Sequence, residues 1–169
     1  DPEDKRALDH EDYAKWNSVG SQMLSNDGQW IGFTITPVEG DATLKIRQIK
    51  SGKEYSIQRG ARARFTDDSQ FVVYTIAPDS EQVKKLQKEK RPASEIPKSK
   101  LQILDLVSGK SVTVNAVGNF SLPEKGSEWV AFKLIEPETD KSVKESKSSL
   151  TATYEITSEG IKRKTKSNE

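Results

Sequence analysis

Leu24-Ser25-Asn26-Asp27-Gly28-Gln29-Trp30-Ile31-Gly32-Phe33-Thr34-Ile35-Thr36-Pro37 decides the fold, because the chain repeats it. Asn26-Asp27-Gly28 supplies the positive φ that a tight reversal needs, and an apolar run led by Trp30 and Ile31 follows at once. The stretch reads as strand, turn, strand. Forty-one positions later, in register, come Phe65-Thr66-Asp67-Asp68-Ser69-Gln70-Phe71-Val72-Val73-Tyr74-Thr75-Ile76-Ala77-Pro78. A third copy, from Phe120 to Pro137, has a longer turn and the same order of parts.

The second half of the unit repeats as strictly. Leu44, Ile46, Ile49, Ser51, Gly52, Lys53, Tyr55 and Ile57 match Leu101, Ile103, Leu106, Ser108, Gly109, Lys110, Val112 and Val114 at one constant offset. In both copies apolar residues alternate, Ser-Gly breaks the run, and alternation resumes, which describes a hairpin with one face buried. A period of about forty residues with several strands per unit is the pattern of a propeller blade. The expected fold class is therefore all-β, an incomplete β-propeller of about three four-stranded antiparallel blades with a short N-terminal helix. The expected boundaries are a lead-in over 1–22 and a partial propeller over 23–169. Blade one takes about 23–59, blade two about 60–116 with an insert at 79–99, and a ragged blade three about 117–165.

These residues carry a resemblance. Leu24 to Thr34, LSNDGQWIGFT, resembles the Leu-Ser-Pro-Asp-Gly-Lys-Trp-Ile-Ala-Tyr repeat of the TolB-like (WD40-like) and peptidase propellers, with Asn26 where Pro is usual. The lead-in Leu8-Asp9-His10-Glu11-Asp12-Tyr13-Ala14-Lys15-Trp16 is similar to the start of the propeller domain in bacterial members of the prolyl oligopeptidase family of serine peptidases. The match covers roughly residues 8–134 and specifies a propeller more sharply than it separates peptidases from other users of the blade. In that family the hydrolase domain carrying the catalytic triad lies mainly C-terminal to the propeller. The resemblance thus implies a non-catalytic segment that gates peptide access to a hydrolase domain absent from this chain.

Composition narrows the classes further. With 27 basic and 26 acidic residues the net charge is +1, so no field strong enough to gather nucleic acid or an anionic membrane is implied. Only 33% of residues are hydrophobic against 31% charged, which calls for long solvated loops beside the blades. No apolar run is long enough for a membrane-spanning helix. The absence of Cys excludes disulfides and thiolate metal sites. The start at Asp1 rather than Met is expected to reflect removal of something upstream, by processing or by choice of the expressed piece, so that a signal peptide would be invisible. The location is left unknown, with a periplasmic or secreted one favoured over a cytoplasmic one.

Along the chain, Asp9 can cap a helix over Leu8–Trp16, with Asp12 three residues on and Tyr13 and Trp16 on one side, expected to lie against blade one. The link from Gln58 to Arg64 holds three arginines, Arg59, Arg62 and Arg64. Of these Arg59 and Arg64, alternating with small residues, form either a basic rim at one mouth of the propeller or a solvated edge that discourages strand pairing. Trp30 precedes Leu44 by fourteen positions whereas Phe71 precedes Leu101 by thirty, so some sixteen extra residues interrupt blade two. Within them Ser80–Lys90 reads as one or two helical turns with Val83 and Leu86 inward, ended by Pro92. Residues 138–149 are polar and without a strand period, a disordered loop. Leu150, Ala152, Tyr154 and Ile156 then alternate, and Ser158-Glu159-Gly160 turns the chain into Ile161, completing an outer hairpin.

No catalytic, cofactor-binding or metal-ligating residue is assigned, and no cofactor is expected. No Gly-x-Ser-x-Gly occurs, and the single His, His10, precedes every strand and has no second His or Cys for a metal. Gly109-Lys110-Ser111 resembles the end of a phosphate loop, but Leu104 stands where the first Gly belongs, and hairpin turn is the better account. Asp67-Asp68 and Asp140-Lys141 lack calcium-loop spacing. Asn119-Phe120-Ser121 fits the glycosylation pattern, but Phe120 reads as an inner-strand residue. Trp30, Phe71 and Trp129 hold equivalent positions, which points to packing between blades. The Glu pair with which dipeptidyl peptidases of the wider family hold a substrate amino terminus has no match.

Propellers have four to eight blades, so three leave the ring open. The chain is accordingly expected to be an N-terminal piece with an apolar face bare at either end, whose partners are the rest of its own parent chain and the parent's peptide substrates. Alone it is expected to self-associate, exchanged strands being one route. The alternative is a TolB-like propeller that binds a protein partner on its face.

Overall fold

The computed structural model describes residues 9–13, 15–135, 151–157 and 160–164. They form three four-stranded antiparallel sheets, each a meander in chain order. Sheet one contains β1 (Asn17–Leu24), β2 (Trp30–Pro37), β3 (Thr43–Gln48) and β4 (Glu54–Gln58). Sheet two contains β5 (Gly60–Phe65), β6 (Phe71–Ile76), β7 (Lys100–Asp105) and β8 (Ser111–Val114). Sheet three contains β9 (Val117–Ser121), β10 (Trp129–Leu134), β11 (Thr151–Thr157) and β12 (Gly160–Lys164). The outer hairpin read from residues 150–161 is thus present as β11 and β12, paired from Thr157↔Gly160 to Thr153↔Lys164. The loop expected over 138–149 lies outside the described residues.

Two apolar layers hold the sheets together. Trp30, Leu44 and Ile46 of sheet one meet Val72, Tyr74, Leu104 and Leu106 of blade two. Val73, Leu101 and Ile103, on blade two's opposite side, meet Val117, Val130 and Phe132 of sheet three. Burial follows from position in this stack. In β2 the residues alternate buried and half-buried because one side of the sheet has no neighbour among the described residues, whereas in β6 Val72 to Thr75 are all buried because the sheet is sandwiched. The apolar run Phe71-Val72-Val73-Tyr74 is what a strand covered on both faces requires.

Among the described residues the two ends of the stack differ. At blade one the bare side presents Ile31, Phe33 and Ile35, half-buried, paired in register with Arg47, Lys45 and Thr43. Val19 and Leu24 of β1 lie across from Ile35 and Ile31 and are 57% and 60% exposed. At blade three the equivalent side carries Trp129, Ala131 and exposed Lys133, which pair with Glu155, Thr153 and Thr151. On β9 it continues into Ser121 and Asn119, both exposed. Among the described residues of β9 and β10 that side therefore carries more polar groups than the bare side of blade one, which presents the broader apolar face.

Blade one begins at Asn17, not at residue 23. β1 gives no period-two signal because it is exposed on both sides along most of its length and carries a bulge between Gly20 and Met23. β5 has the matching bulge between Ala61 and Arg64, with Ser21 and Arg62 at φ 50 and 52. The lead-in helix, α1 (His10–Tyr13), is a single turn. Asp12 accepts the Asp9 N–H at 3.1 Å, the reciprocal half of a capping box. The insert carries α2 (Ser80–Lys88), capped by Asp79 on the Gln82 N–H at 2.9 Å. Val83 and Leu86 are half-buried there, and its other residues beyond Ser80 are exposed.

Candidate functional site

Four strands per meander return the chain to the side on which each blade began. The Asp-Gly and Ser-Gly turns therefore gather on one side of the arc, while α1, α2 and the blade-to-blade links gather on the other.

The turn side ties blade to blade. Asn26 Nδ2 donates to Asp67 Oδ1 at 2.8 Å and to the Asp67 carbonyl at 3.1 Å. The Asp27 N–H donates to Ser69 Oγ at 3.1 Å, and the Gly126 N–H donates to Asp67 Oδ2 at 3.0 Å, reaching blade three. Lower down the seam, the Tyr55 hydroxyl and Lys53 Nζ both donate to the Leu106 carbonyl, at 3.1 and 3.3 Å. A cleft of about 350 Å³ runs along this seam between Asp27, Gln48, Lys53 and Asp68. Its polar groups are largely spent on these ties, so the cleft reads as structural.

Three turn-side carboxylates are stabilised in the ionised form. The Ser25 hydroxyl, and after it the Gln29 N–H, hold Asp27 below its ordinary 3.8. Burial pushes Asp68 up, but the Ser127 and Thr66 hydroxyls and the Gln70 N–H outweigh it. Burial likewise raises Asp105, and hydrogen bonds from Ser108 and Val107 with the Lys53 charge bring it below the ordinary value. Folded-state values below the unfolded one mean that this stabilisation is complete above about pH 4 and is lost as pH falls through the folded values. The melting temperature is expected to drop as pH falls below about 4, and Asp68→Asn to flatten that drop, in thermal scans across the acid range. A profile unchanged by the substitution would remove Asp68 from the explanation.

On the link side, one backbone position recurs at each blade entry. The Trp16, Arg59 and Ala116 carbonyls accept from the Val38, Ala77 and Ile135 N–H groups at 3.3, 2.9 and 2.7 Å. Arg59 and Ala116 share the left-handed conformation, φ 61 and 56. Trp, Arg and Ala all satisfy the same bond, so the backbone does not dictate the side chain there. Tyr13 and Trp16 pack edge to face at 5.0 Å but remain 47% and 51% exposed, contrary to the expectation that they lie against blade one. A one-turn helix tied by a main-chain bond to Val38 stacks its rings on each other instead of sinking them into the sheet.

The arginines of the second link divide. Arg59 pairs with Asp79 at 3.6 Å, Arg62 Nη1 donates to the Gly118 carbonyl at 3.4 Å, and Arg64 is exposed on β5. Of the aromatic trio, Trp30 is buried and stacked on Tyr55 at 6.0 Å, and Phe71 packs against the second layer. Trp129 is half-buried on blade three's outer side. Gly109-Lys110-Ser111 leads into β8 through a turn with Gly109 at φ 74. Phe120 packs into the core beside Asn119. His10 is exposed, with its ring 5.8 Å from that of Tyr13. Among the described residues no group of three His, Cys, Asp or Glu could hold a metal ion, and no helix is long and apolar enough to cross a membrane.

No protein-family model and no curated protein matches the sequence. Solved structures do match the fold. The β-propeller domain of the trilobed protease from Pyrococcus furiosus, described as having an open velcro topology, superposes with TM-score 0.51 at 12% identity, over 89% of this chain and 44% of that one. An acylaminoacyl peptidase of Pyrococcus horikoshii gives 0.51 at 10% identity, over 91% of this chain and 26% of that one. A structure from an analysis of two prolyl endopeptidases gives 0.52 at 15%, over 87% and 22%. The chain thus spans less than half the length of each. Three stacked four-stranded meanders and these neighbours define the class: a β-propeller, here an incomplete one.

Proposed function

We infer that this chain is the propeller segment of a prolyl oligopeptidase-like serine peptidase, and that it screens peptides by size before they reach a hydrolase domain encoded beyond it. The observation that carries this reading is the arc of blades itself, whose fold neighbours are peptidases. Within the reading the chain's role is steric. It has no Gly-x-Ser-x-Gly, and its only His sits exposed on α1, far in sequence from any candidate nucleophile turn. Its partners are the remainder of its own parent chain and that parent's peptides. The bare face of blade one also makes the isolated chain self-associate.

The deciding experiment is to read the parent open reading frame for a downstream Gly-x-Ser-x-Gly followed by Asp and His. Its absence ends the peptidase reading. The chain alone is expected to leave proline-containing chromogenic peptides intact, and turnover by it would overturn the steric role. A second reading, a TolB-like module that binds a protein partner, draws support from the exposed Tyr13, Trp16 and Val38 on the link side. A parent frame lacking the triad would favour it.

A further inference from the structure

We propose that the cleft between α2 and the second blade link binds the carboxylate of a peptide. Its volume is about 350 Å³, and Arg59, Lys98 and Lys100 line it with one acid, Asp79. Three cations thus face a single carboxylate, and that carboxylate is already engaged. One oxygen caps α2 through the Gln82 N–H at 2.9 Å and the other lies 3.6 Å from Arg59 Nη1. Lys98 Nζ donates to the Ala93 carbonyl at 2.7 Å, which leaves two of its three donors for a ligand.

The main-chain turn at the link does not require the guanidinium. Ala116 takes the same left-handed turn and the same main-chain bond at the next link without a charged side chain. The turn holds the Arg59 backbone in place, because its N–H donates to the Ala42 carbonyl at 2.7 Å and its carbonyl accepts from the Ala77 N–H at 2.9 Å. The guanidinium, steered toward the cleft by its 3.6 Å ion pair with Asp79, suits carboxylate recognition. The walls beside it, Ile76, Pro78 and Pro97, are apolar and suit the adjoining aliphatic or prolyl part of a peptide. The cleft lies on the same side as α1 and the blade entries, away from the ties of the turn side. This inference rests on the reading of the chain as a peptide-handling propeller.

The test is an NMR titration of the isotope-labelled chain with four probes: trialanine, acetyl-trialanine amide, acetyl-Ala-Glu-Ala amide and inorganic phosphate. Saturable shifts at Ala77, Gln82 and Lys98 are expected with a carboxylate-bearing peptide, and at least about tenfold weaker binding with the neutral amide. A response to trialanine alone assigns a C-terminal carboxylate, and an equal response to the glutamyl peptide assigns any peptide carboxylate. Arg59→Ala is expected to weaken binding about tenfold while the remaining amide signals stay in place. Asp79→Asn keeps an oxygen for the helix cap but removes the competing charge, so it is expected to tighten binding about threefold. Equal binding of the neutral amide, phosphate binding as tight as the peptide's, or indifference to Arg59→Ala would each overturn the proposal. A parent frame without a hydrolase, together with a successful titration, would sink the peptidase reading and leave the cleft standing.

Discussion

Gly60→Ala is expected to destabilise the chain by about 2 kcal/mol, measured by chemical denaturation, although it adds one methyl group. A Cβ at residue 60 would stand 2.6 Å from Leu44 Cβ and 3.1 Å from Ile57 Cγ2. Neither atom is the free end of a flexible chain, so the β-sheets themselves must part. Gly60 opens blade two directly against the outer half of blade one, and the added methyl wedges the layer that contains Leu44 and Ile46. Leu44→Ala attacks the same contact from the other side. With Leu44 fully buried, its truncation is expected to cost about 3 kcal/mol through lost transfer energy and a residual cavity. The double variant is informative because alanine keeps the Cβ that makes the 2.6 Å contact. It is therefore expected to be at least as unstable as either single variant, and rescue would show that the clash is with the leucine's outer atoms. One blade later, the position matching Gly60 is Val117, fully buried beside Leu101 and Val114. Glycine is demanded only where Ile57 and Leu44 crowd the link.

That comparison also marks how far the fold could be read from residues. The blades were legible because their cores recur at fixed offsets, Leu44 with Leu101 and Trp30 with Phe71, and because hairpin turns advertise glycine at Gly28, Gly52 and Gly109. The same backbone torsions recur where no glycine marks them. Ser69 matches Gly28 at φ 60 against 66, and Arg59 matches Ala116. Each is held by tertiary hydrogen bonds that local propensity does not reveal, so the link geometry was hidden. β1 is only partly legible because a strand exposed along most of its length, with Met23 alone reaching the first layer, has little reason to alternate. The candidate cleft was further from view. It needs the insert folded back onto Arg59, and in the sequence Arg59 and Lys98 stand thirty-nine positions apart with the insert's charges spread between them.

Sedimentation equilibrium of the isolated chain is expected to report a dimer, near twice its 18.9 kDa, formed through blade one. Ile31, Phe33, Ile35, Val19 and Leu24 make one continuous apolar side with charge only at its outer strands, where Lys45 pairs with Glu54 at 2.6 Å. Two pairings could cover it. Head-to-tail stacking would seat it on the outer side of blade three and extend without limit. That union must desolvate Lys133, Asn119 and Ser121 against an apolar sheet, with no acid supplied by the incoming face near its centre. Face-to-face pairing about a two-fold axis buries apolar area on both partners and leaves the charged outer strands at the rim, so it closes at two copies. Phe33→Glu, which places a charge in the middle of the face, is expected to weaken association at least about thirtyfold, while Trp129→Glu at the other end leaves it unchanged. Light scattering that shows a monodisperse monomer at high concentration would refute the dimer. Dissociation by Trp129→Glu but not by Phe33→Glu would instead place the contact at the polar end, against the desolvation argument.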